Sequence, residues 1–201
     1  MRISLSAFRS GRFLKFAALP AAVIAGGLVI GNASYSAYSS QTTSPTNNWT
    51  TGTVKLDNSS PTTALFTATN LKPGSTGTKC VTVTSTGSLA STVKLFGTAT
   101  ATTNNLASSI NLVIAQGSGS TDAACTGFTP IVNAAGYSGT LAAFGTANTN
   151  FSNGFGDWAP VGTATTETRT YQFTYTVAAG ADNTTQGGTA AIGFTWEAQN
   201  S

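Results

Sequence analysis

From Trp49 onward the chain alternates apolar and polar residues in short runs separated by turn residues. Val54 and Leu56 flank Lys55 until Asn58-Ser59-Ser60-Pro61 stops the run, and Leu65-Phe66 form a further short run that Lys72-Pro73-Gly74 ends. Val81 and Val83 alternate with Thr82 and Thr84 up to Thr86-Gly87, Val93 and Leu95 flank Lys94, and Ile110, Leu112 and Ile114 share a face opposite Asn111 and Val113. The clearest strands come last. Tyr171, Phe173, Tyr175 and Val177 alternate with Gln172, Thr174 and Thr176, and Ile192, Phe194, Trp196 and Ala198 alternate with Gly193, Thr195 and Glu197. A period of two sends successive side chains to opposite faces of a pleated strand, so one face enters a core and the other meets solvent, as in antiparallel sheets.

Ala179-Gly180-Ala181-Asp182-Asn183 is too short for a helix and predicts a loop between the last two strands. The stretch from Gly117 to Gly156 is rich in Gly, Ala and Asn with scattered aromatic residues, and it predicts a long connection across one end of a sandwich. A short helix fits around Gly139 to Phe144, but no run supports a long amphipathic one. Many short strands punctuated by turns predict an all-β fold, an antiparallel two-sheet sandwich of the jelly-roll or Greek-key type.

Composition agrees: 40% of residues are hydrophobic and only 7% charged, with Thr, Ser, Gly, Asn and Ala making up most of the rest. Thr and Val pack well on a pleated surface, and Gly, Asn and Ser serve turns. Length and pattern predict a single β-sandwich domain over residues 49–201.

The first 36 residues read as a secretory signal peptide. Arg2, Arg9, Arg12 and Lys15 form the basic region, Phe16 to Ile30 the apolar stretch, and Ser34-Tyr35-Ser36 a small-x-small site for cleavage between Ser36 and Ala37. The apolar stretch is shorter than the roughly 20 residues of a membrane-crossing helix, and Pro20 and Gly26-Gly27 interrupt it. An uncleaved anchor is the alternative. The C-terminal Glu197-Ala198-Gln199-Asn200-Ser201 resembles neither an apolar tail nor a sorting signal. The mature protein is therefore expected to be secreted, meeting the membrane only through the leader before cleavage.

Removing the leader changes the charge picture. Lys55, Lys72, Lys79, Lys94 and Arg169 remain against six acidic residues, five against six, a net charge of −1. No basic patch survives to neutralise phosphates, so nucleic acid is not an expected partner. Near-neutrality also removes long-range repulsion between copies. Residues 37–48 are polar, contain Pro45 and predict a flexible N-terminal arm. Cys80 and Cys125 are the only cysteines. In an exported chain they read as one disulfide, stabilising by about 4 kcal/mol on the chain-entropy model, with two free buried thiols as the alternative.

Reactive chemistry is sparse. The absence of histidine removes the commonest general base and the usual zinc ligand. Asp57, Asp122, Asp157, Glu167, Asp182 and Glu197 are scattered, and four of the aspartates sit beside turn residues, where capping is their ordinary role. Ser and Thr have no partner base, and no phosphate-binding glycine motif opens a helix. No catalytic residue, metal or cofactor is expected. Trp196 fits the core beside Ile192 and Phe194, whereas Trp49 and Trp158 lie at segment edges where an aromatic ring could stack on a sugar.

Several runs in order resemble the TasA/camelysin family of biofilm-fibre and cell-envelope proteins. Tyr35-Ser36-Ala37-Tyr38-Ser39 followed by Thr51-Gly52-Thr53-Val54-Lys55-Leu56 resembles that family's cleavage site and first strand. Asn70-Leu71-Lys72-Pro73-Gly74-Ser75, Ser85-Thr86-Gly87-Ser88-Leu89, and Asn183-Thr184-Thr185-Gln186-Gly187 leading to Phe194-Thr195-Trp196-Glu197-Ala198-Gln199 are similar to its later turns and ending. The resemblance implies a jelly-roll domain, export through a dedicated signal peptidase, and a family whose members build extracellular fibres. Cys80 and Cys125 depart from the family's general pattern. Camelysin is classed as a surface metallopeptidase, but no ligand set here matches that activity.

The leading expectation is a bacterial structural subunit of an extracellular fibre, biofilm matrix or cell-surface layer. It would self-associate by adding the arm Ala37, Tyr38, Ser39, Ser40, Gln41 and Thr42 to a sheet edge of the next copy, with other matrix or cell-wall components as further partners. A monomeric adhesin or glycan-binding module is the alternative, and a metallopeptidase the third reading.

Overall fold

The computed structural model describes residues 39–42, 54–120, 122–163 and 165–200. The expected signal peptide, the Ser36/Ala37 cleavage site, Tyr38, the rest of the arm and Trp49 lie outside them. The strands are β1 (Ser39–Thr42), β2 (Leu56–Asn58), β3 (Thr76–Ser85), β4 (Ser91–Thr102), β5 (Ile110–Ser118), β6 (Thr129–Pro130), β7 (Tyr137–Thr140), β8 (Phe155–Trp158), β9 (Glu167–Val177) and β10 (Ala190–Asn200), with one short helix, α1 (Leu141–Ala147), before β8.

They form two antiparallel sheets. The smaller runs β1-β10-β4-β8; the larger runs β2-β3-β9-β5-β6, with β7 also paired to β5. In chain order β3, β4 and β5, and again β8, β9 and β10, alternate between the sheets, so each of these connections passes from one sheet to the other. The fold is the expected all-β sandwich.

The alternating faces meet between the sheets. Val81, Val83, Leu112, Ile114, Tyr171 and Phe173 of the larger sheet pack against Val93, Leu95, Trp196 and Ala198 of the smaller one. Phe173 and Trp196 meet edge to face at 6.1 Å, and Tyr171 tilts against Trp196 at 5.5 Å. Burying one such side chain stabilises by about 1.5–3 kcal/mol. On the outer face of the larger sheet, threonines sit opposite one another: Thr78 and Thr174 hydroxyls lie 3.0 Å apart, and Thr82 and Thr170 the same. Cross-strand pairs of this kind set register.

The Cys80–Cys125 disulfide, with Cα atoms 5.1 Å apart, pins the loop around Cys125 onto that outer face. There the Ser120 carbonyl accepts from both the Thr82 and Thr170 hydroxyls, at 2.7 and 3.1 Å.

Two expectations change. Leu65-Phe66 form no strand; they pack on the core from an irregular segment, with Phe66 edge to face on Tyr175 at 5.1 Å. Two adjacent apolar residues point to opposite faces in a strand, and here both are wanted on one side. The 117–156 stretch is more than a connection, since β6 and β7 extend the larger sheet along β5 and β8 starts the edge of the smaller one. Helix α1 within it is capped by the Thr140 hydroxyl, which accepts from Ala143 N at 3.1 Å, and it buries Phe144 completely.

Candidate functional site

The expected arm meets the fold at β10. Ser39–Thr42 lie antiparallel along it in unbroken register, from Ser39 opposite Gln199 to Thr42 opposite Trp196, and form the edge of the smaller sheet. Beyond that pairing, among the described residues, no strand lies on the same side of β10 from Ala190 to Thr195. Beside this stretch is a cavity of about 610 Å³ whose lining includes Leu65, Phe66, Tyr175, Ile192, Phe194 and Trp196. The inward-facing residues of the free part of β10 thus line a space between the sheets.

Apart from β7, which pairs four residues with β5, the other sheet edges are blunted. β2 has three residues, β6 has two and ends in Pro130, and β8 pairs with β4 through an irregular register between Val93 and Leu95. Short strands, proline and bulges each discourage pairing with another chain. β10 itself carries an irregularity only toward its start, between Ala191 and Gly193, where β4 holds an extra residue and Ala99 adopts φ 49°.

Five of the six acidic residues have a partner close in sequence. Asp122 accepts from Thr126 N at 3.0 Å and Asp182 from Thr184 N at 2.7 Å. These backbone hydrogen bonds hold both carboxyls below the usual range. Asp57 accepts from Asn58 N at 2.8 Å, Glu167 from Val161 N at 2.9 Å and Gly162 N at 3.2 Å, and Glu197 from Gln199 Nε2 at 2.9 Å. Among the described residues, no group of three or more His, Cys, Asp or Glu side chains stands together as a metal site. None of their helices is long and apolar enough to cross a membrane.

Asp157 is the one acid that reaches across the sandwich. From β8 its Oδ1 accepts from Gln116 Nε2 of β5 at 2.8 Å and its Oδ2 from Ala135 N at 3.0 Å. The sequence carried a signal for this contact: Gln116 follows Ile110, Leu112 and Ile114 on the inward face, and a polar residue there needs a buried partner. Trp158, the edge tryptophan with a sugar-stacking role in view, is buried at 4% exposure, with the Arg169 guanidinium 5.9 Å from its ring centroid. Its face is engaged within the fold. Trp196 is in the core, as its neighbours require.

The chemistry available at the arm and β10 is therefore backbone pairing beside an apolar cavity. No protein-family model matches the chain, and no curated protein matches it.

Proposed function

We propose that this chain is a secreted structural subunit of an extracellular fibre, biofilm matrix or cell-surface layer of the TasA/camelysin kind, without enzymatic activity. Subunits join when the arm of one copy takes the place along β10 of the next that Ser39–Thr42 hold within a single chain. The observation that carries this reading is the in-register antiparallel pairing of Ser39–Thr42 with Trp196–Gln199 at a sheet edge. A segment that satisfies the edge within one molecule satisfies it equally between molecules, and backbone hydrogen bonds supply the affinity. The side of Ala190–Thr195 away from β4, and the cavity beside it, offer room for a longer added strand, whose alternate side chains would set the register. Such a contact is head-to-tail, and head-to-tail contacts that do not close into a ring generate filaments.

Deleting residues 37–48 from the mature protein and imaging by electron microscopy tests this. Loss of filaments from a variant that still folds is expected; filaments of unchanged length and yield would defeat the proposal.

The cavity favours a second reading, a monomeric binding module. Its volume of about 610 Å³ and its aromatic lining suit a small molecule. Glycan-array binding by a chain that stays monomeric would favour that reading over assembly.

A further inference from the structure

Two polar atoms stand without partners where β8 crosses the end of β5 and β9. Gln116, 2% exposed, is one strand over from Tyr171, which is fully buried, and the two are direct partners in the β5–β9 register. The Gln116 amide nitrogen is fixed between two acceptors, the Ala135 carbonyl at 3.0 Å and Asp157 Oδ1 at 2.8 Å. That geometry settles which end of the carboxamide is nitrogen, so its Oε1 is a true acceptor, and it has no hydrogen-bond partner. The hydroxyl of Tyr171, the residue paired with Gln116, has none either.

Opposite them in β8 is Gly156, at φ +115°. A methyl group on Gly156 would find its nearest neighbours at 3.6 Å (Val93 O), 3.9 Å (Gln116 Nε2) and 4.0 Å (Tyr171 Oη). All three are polar, and none is closer than ordinary contact. Space of about one atom, walled by polar groups and roofed by a residue with no side chain, is what a buried water requires, together with two to four partners.

We propose that this point is an internal water-binding site, where a single water molecule donates to Gln116 Oε1, bonds the Tyr171 hydroxyl and has the Val93 carbonyl within reach. The Gln116 and Tyr171 contacts come from the larger sheet and the Val93 contact from β4 of the smaller, so the water ties β4 to the opposite sheet beside the direct Gln116–Asp157 hydrogen bond that ties β8 to it. A metal cation fits poorly: the side chains lining the point are neutral, and both Asp157 oxygens already accept hydrogen bonds from Gln116 and Ala135.

Relaxation dispersion of water oxygen-17 in solutions of the full chain counts water molecules that stay bound for longer than the protein tumbles. The amplitude is expected to drop by one long-lived water in Tyr171→Phe, which keeps the ring's shape and removes only the hydroxyl. Gly156→Ala, which places a methyl group at the site, should show the same loss if it folds. Equal amplitudes in the unmodified chain and in folded Tyr171→Phe would overturn the proposal, as would a crystal structure showing a cation or nothing at this point.

Discussion

β8 and β1 occupy opposite edges of the smaller sheet. β8 pairs irregularly with β4, and side chains from both sheets hold it. Trp158 is buried with Arg169 near its ring, Asp157 binds Gln116, and the Lys94 ammonium donates to the Gly156 carbonyl. β1 pairs with β10 without interruption but reads Ser-Ser-Gln-Thr, a run with no large apolar residue. One edge is fastened by side-chain packing and charge, the other by backbone register. Packing of a specific side chain is costly to exchange, whereas a backbone ladder accepts any chain of suitable register.

Breaking the fastened edge should have the largest effect. Trp158→Ala removes a buried aromatic residue and is expected to destabilise by about 3–5 kcal/mol in urea unfolding. The alkaline side gives a second test. Burial raises the Tyr171 phenol well above its ordinary value, with Arg169 partly opposing, so the fold favours the neutral form. That contribution is complete below the unfolded tyrosine value of about 10 and is lost as pH rises from there toward the folded value. Unfolding midpoints should therefore fall above about pH 10, and less steeply in Tyr171→Phe. Asp157→Ala leaves one of the two acceptors of Gln116 Nε2 in place and should cost about 1–2 kcal/mol. Least affected should be the variant lacking residues 37–48, whose unfolding free energy is expected to stay within about 0.5 kcal/mol of the full mature chain while, on the proposed function, it forms no filaments. A large loss of stability there would place β1 among the fastened edges and remove the contrast.

Some of this was legible along the chain. The runs around Val81, Ile110, Tyr171 and Ile192 became β3, β5, β9 and β10, because a long period-two pattern has only one way to bury its apolar face. The pairing of Cys80 with Cys125 was legible too, since two cysteines in a chain expected to be exported offer one partner for each. β6, β7 and β8 were not. They are two to four residues long, with Gly139, Pro130 and Gly156 among them, and so short a run holds too few alternations to declare a face. The local roles of Asp122 and Asp182 followed from their turns, but the reach of Asp157 across the sandwich did not.

Residue order thus determined that long alternating segments would form strands, which of their faces would be apolar, and where turns would interrupt them. These are local properties, set by side-chain period and backbone preference. Tertiary structure decided which strands neighbour one another, that Ser39–Thr42 settle on β10, and that Gln116, Asp157, Tyr171 and Gly156 converge at one end of the core. Those outcomes depend on contacts between residues far apart in sequence, and local pattern carries no information about the distance between two faces until both sheets are packed.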